Sequence, residues 1–79
     1  MMISIDYIDK KLLEILNKNG WNRLREDFLE RFLEKFGIKI SEWEYLTKCF
    51  YLVGTVKVEG KELRVWEPVE RPEILMILD

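Results

Sequence analysis

Two-thirds of the way along this chain the spacing of apolar residues changes from helical to alternating, and few small folds accommodate that change. After Gly54, Val56, Val58, Leu63 and Val65 fall on one face of an extended ribbon, while Lys57, Glu62 and Arg64 fall on the other. Between the two halves stands Glu59-Gly60-Lys61, a tight turn in which glycine supplies the positive φ. Pairing Val56 with Leu63 sets Lys57 opposite Glu62, a favourable cross-strand pair. The spacing therefore predicts a β-hairpin over residues 55–67, ended by Pro68 and Pro72.

Upstream, three stretches repeat at helical spacing. Ile8, Leu12, Ile15 and Leu16 form a stripe on a helix over 6–19, with Asp6 as cap and Gly20 as stop. Leu24, Phe28, Phe32 and Phe36, with Leu29 and Leu33 beside them, predict a second helix over 22–36, capped by Asn22 and ended by Gly37. Trp43, Leu46, Phe50 and Val53 predict a third over 41–53, with Ser41 as N-cap and Gly54 as its end. Cys49 lies beside that third stripe, where it reads as a small buried hydrophobe. The outward positions of the helix are then Glu42, Glu44, Tyr45, Thr47, Lys48 and Tyr51.

Seventy-nine residues make one domain, 1–79, with a single core. The absence of His and the presence of one Cys exclude a zinc site of the usual nitrogen and sulfur type and an internal disulfide. No nucleophile–base pair, phosphate-cradling glycine loop or metal spacing occurs, so the expectation is no enzyme, no catalytic residue and no cofactor. The opening MMISIDYIDKK has no signal-peptide character, and no apolar run reaches the roughly 20 residues of a membrane span. A reducing, cytoplasmic setting is expected. Abundant Lys, Glu and Ile without Gln is the bias of proteins from hot environments. The segment 72–79 carries five consecutive apolar residues, Ile74, Leu75, Met76, Ile77 and Leu78, and is expected to form a homodimer or partner contact. Trp66, placed by alternation on the outer face of the ribbon beside Lys57 and Arg64, joins that expectation.

Helix, helix, the short turn GIKIS at 37–41, a third helix, then GTVKV and GKELRVW: in this order the chain resembles a winged helix–turn–helix domain, a small α+β fold. Members of that family commonly bind double-stranded DNA, often as dimers, with the third helix in the major groove and the wing against phosphates. Carried onto this chain, the resemblance implies DNA contacts by Lys39, Thr47, Lys48, Tyr51, Lys57, Lys61 and Arg64, and a role in transcription regulation. Two features depart from the pattern: the net charge is −2, and the third helix carries Glu42 and Glu44. A carboxylate about 4 Å from a phosphate costs on the order of 1–4 kcal/mol at surface dielectrics. The alternative expectation is thus a protein–protein adaptor that uses the same face without DNA.

Overall fold

The computed structural model describes residues 3–70, and its first helix begins one residue earlier than the apolar stripe suggests. That helix, α1 (Ile5–Asn19), is capped by Ser4, whose Oγ accepts the N–H of Tyr7 at 3.1 Å. Asp6 is not the cap; it sits in the first turn, where its charge suits the helix dipole. Gly20, at φ 68°, closes the helix, and the next N–H, of Trp21, reaches back to the Leu16 carbonyl at 2.9 Å.

The second helix is shorter than its stripe. Leu24 and Arg25 form a two-residue strand, β1, and α2 runs only over Glu26–Glu34. Sequence periodicity expected helix from 22, but β1 pairs antiparallel with a distant strand, Leu24 opposite Trp66 and Arg25 opposite Val65. That long-range ladder outbids one helical turn, so Asn22 caps nothing; instead the Asp27 carboxylate accepts the N–H of Phe28 at 2.8 Å.

The third helix shows the largest departure. Here α3 is Ile40–Leu46, seven residues, and it does not reach 53. Thr47 turns the chain out at φ −66° and ψ 139°. Its hydroxyl donates to buried Asp9 at 2.7 Å and accepts the N–H of Cys49 at 3.3 Å. From Phe50 the aromatic and β-branched run FYLV becomes strand β2 (Phe50–Val58), and Gly54 lies inside that strand, at a register shift, rather than at a helix end. After the turn comes β3 (Lys61–Pro68). Positive φ at both Glu59 (50°) and Gly60 (81°) gives the two-residue turn a hairpin needs. The hairpin tip follows the expected register, Val56 opposite Leu63 and Lys57 opposite Glu62.

Among the described residues the result is a small α+β arrangement of three helices and one antiparallel sheet, ordered β1-β3-β2. Its core joins Ile8, Leu12 and Leu16 of α1, Leu29 and Leu33 of α2, Trp43 of α3, and Leu24, Phe50 and Trp66 of the sheet, with Cys49 between. Trp66 is therefore not the exposed contact that alternation predicts: it is 1% exposed. The face that carries Lys57 and Glu62 at the tip carries Arg64 and Trp66 at the base, where it packs on α2 and α3 instead of facing water. The expected contact segment 72–79, with Ile74 to Leu78, lies outside the described residues. Among the described residues no helix is long and apolar enough to cross a membrane.

Candidate nucleic-acid interface

The turn between α2 and α3, the exit of α3 and the hairpin hold the residues that the resemblance singles out. Lys39 immediately precedes α3, and Lys48 follows it; Lys57 lies near the end of β2 and Lys61 opens β3. All four are exposed, as is Tyr51. Among the described residues no carboxylate lies within ion-pair distance of any of these four ammonium groups.

The other two expected contacts are engaged internally. Thr47 is held by the Asp9 carboxylate, as described above. Arg64 is clamped between two helices: Nη1 donates to Glu44 of α3 at 3.2 Å, Nη2 to Glu26 of α2 at 3.3 Å, and its own backbone N–H to Glu26 at 2.8 Å. The guanidinium also lies 4.9 Å from the centre of the Trp66 ring. Glu44 accepts a further hydrogen bond from Trp66 Nε1 at 3.1 Å. A guanidinium that serves two carboxylates and an indole has little left for a phosphate, so Arg64 is a positioning residue for β3 over α2 and α3.

The same clamp changes the electrostatics of α3. Of the two acids that argue against a phosphate chain, Glu44 is drawn towards Arg64, which it shares with Glu26, so the three groups together keep one negative charge; Glu42 points to solvent. The remaining outer surface of α3 is Ser41, Tyr45 and Leu46, with Tyr45 87% exposed. Just past the helix, Tyr51, Leu52 and Val53 of β2 are also exposed, so this junction is unusually apolar for a surface.

Beneath the junction is Asp9, fully buried on α1. Its carboxylate accepts Trp43 Nε1 at 2.7 Å and Thr47 Oγ1 at 2.7 Å. Burial pushes its pKa above the ordinary value, and the hydrogen bonds from Thr47, Trp43 and Cys49 pull the other way without cancelling it. Local spacing gives no sign of this role, and the sequence reading missed it. It also missed Glu26 and Glu44 as partners of Arg64, because contacts between residues 20 and 38 positions apart leave no mark on local periodicity.

Comparison with known proteins finds no matching family model, no matching curated protein and no matching solved structure.

Proposed function

We propose that this chain is a winged-helix module that binds duplex DNA, chiefly by its phosphate backbone, through Lys39, Lys48, Lys57 and Lys61. The observation that carries the reading is that these four exposed ammonium groups, at the turn before α3, the exit of α3 and the hairpin, have no carboxylate within ion-pair distance among the described residues. The element order supports it too, because β1, which follows α1 and precedes α2 and α3 in the chain, pairs with β3 and adds a third strand to the hairpin. Lysine offers a point charge without the fork that reads guanine, and α3 presents no Arg, Asn or Gln. The expected binding is thus weakly selective and strongly salt-sensitive. Fluorescence anisotropy with a labelled duplex at low salt tests it: saturable binding is expected, and none at low salt removes the proposal.

A second reading, a protein partner, is favoured by one specific observation, the exposed apolar set Tyr45, Leu46, Tyr51, Leu52 and Val53 at the α3–β2 junction. The Tyr45→Ser substitution separates the two: phosphate-led duplex binding survives it, whereas docking through the apolar set is lost.

A further inference from the structure

A second basic site stands on elements that contribute none of the four lysines. The loop after α1, strand β1 and the outer side of α2 enclose a pocket of about 350 Å³ lined by Trp21, Arg23, Leu24, Arg25, Phe28 and Arg31. Its construction follows from local rules. Leu24 points into the core, so its neighbours Arg23 and Arg25 both project to the opposite, outer side of β1. Phe28 and Arg31, three residues apart, share one side of α2. Trp21 is fixed at its backbone by the bond to Leu16, and its ring meets Phe28 edge to face at 5.6 Å and 88°.

The charge at this pocket is not cancelled. Arg23 meets Glu67 at 3.0 Å, and Arg25 meets Asp27 through two bonds of 2.7 Å. Arg31 feels the Asp27 charge as well, but that carboxylate is already held by Arg25, which keeps its pKa below the ordinary value. Among the described residues, three guanidinium groups against two carboxylates leave a surplus of one positive charge. The side chains of Arg23 and Arg25 are nearly half exposed, 48% and 45%, so the single-bonded Arg23–Glu67 pair is weak and readily shared with an incoming anion, while Arg25 stays on Asp27 and adds its positive field.

From this juxtaposition we propose that the pocket binds a nucleoside phosphate, the base against Trp21 and the phosphate at Arg31 with Arg23 and Arg25 beside it. A bare anion would leave the Trp21–Phe28 floor unused, and a purely apolar ligand would leave the surplus positive charge unanswered. A planar π-system joined to a phosphate satisfies both halves, and stacking next to guanidinium groups is how flexible strands are held without sequence preference. The volume lies at the lower end for ligand pockets, which suits one nucleotide unit. That unit can be a free nucleotide or one residue of a single strand.

Tryptophan emission of the full chain provides the test. Trp43 and Trp66 are buried at 0% and 1% exposure, while Trp21 is 47% exposed, so a stacking ligand quenches Trp21 selectively. Adenosine monophosphate, a short oligothymidylate and inorganic phosphate are titrated in parallel. Saturable quenching by the mononucleotide identifies free nucleotide as the ligand; quenching by the oligomer alone identifies a single strand. In either case Arg31→Gln weakens binding about tenfold with an unchanged circular dichroism spectrum, and Arg31→Lys weakens it less. No quenching by either ligand, an Arg31→Gln chain with parental affinity, or inorganic phosphate binding as tightly as the nucleotides would each overturn the proposal. The site is separate from the duplex-binding lysines: a chain with Lys57→Gln and Lys61→Gln retains the Trp21 response, so failure of one proposal is not failure of the other.

Discussion

An Asp9→Ala chain is expected to lose about 3 kcal/mol of stability, a large share of what a domain this small possesses. The substitution strands Trp43 Nε1, a fully buried donor whose acceptor is Asp9 at 2.7 Å. It also frees the Thr47 hydroxyl, which fixes the exit of α3 and the start of β2. At about 4–8 °C per kcal/mol, the thermal midpoint should fall by roughly 12–24 °C. Asp9→Asn keeps an acceptor and the volume, so its cost should stay near 1 kcal/mol. The asparagine chain also isolates the titration. Burial raises the Asp9 carboxyl above its ordinary 3.8, so above pH 3.8 the folded chain holds more proton than the unfolded one. The stabilisation that protonated Asp9 contributes is complete below about pH 3.8 and is lost as pH rises through the raised value. Asp27, held low chiefly by its bonds to Arg25, behaves oppositely: its contribution is present above 3.8 and fades as pH falls. Because both chains carry Asp27, it cancels in the comparison. Thermal melts across pH should show the parent declining relative to the asparagine chain as pH rises from about 4; a pH-independent difference would contradict this placement of Asp9.

Trp66→Ala separates two pictures of the hairpin. If the indole lay on an outer face, truncation would change stability by no more than about 0.5 kcal/mol. Buried as it is, it should cost about 3–5 kcal/mol. The ring packs edge-on against Trp43 at 5.9 Å, covers the Arg64 guanidinium and donates to Glu44. Its removal leaves a void between sheet and α3 and loosens the clamp that draws Glu44 towards Arg64. Trp66→Phe, which keeps the packing and loses the N–H, should cost about 1–2 kcal/mol. Urea unfolding followed by circular dichroism measures both.

The residues that were legible in the sequence are those governed by neighbours. The α1 stripe, the Gly20 stop, the Glu59-Gly60 turn and the Val56–Leu63 register all follow from local spacing and backbone freedom, and all are present. What escaped is set by distant partners. Leu24 and Arg25 fit a helical stripe well, and only Trp66 and Val65, some 40 positions away, make them a strand. Phe50 and Val53 continue the α3 period, yet the Thr47–Asp9 bond stops the helix seven residues short of where the stripe runs out. The error over Trp66 has the same root: alternation sorts residues into two faces but does not say which face meets the helices at each end of a ribbon. Of the expected contact residues, Lys39, Lys48, Tyr51, Lys57 and Lys61 stand exposed, whereas Thr47, Arg64 and Trp66 are taken up by the fold.

The central functional claim is that four lysines meet a phosphate backbone, and the salt dependence of duplex affinity counts such contacts. At about 0.9 per neutralised phosphate, log K against log salt should fall with a slope of roughly −3 to −4. The Lys57→Gln, Lys61→Gln chain should show a slope smaller by about 2 and bind about tenfold or more weakly near 0.1 M salt. A slope near zero, or one that the double substitution leaves unchanged, would contradict it.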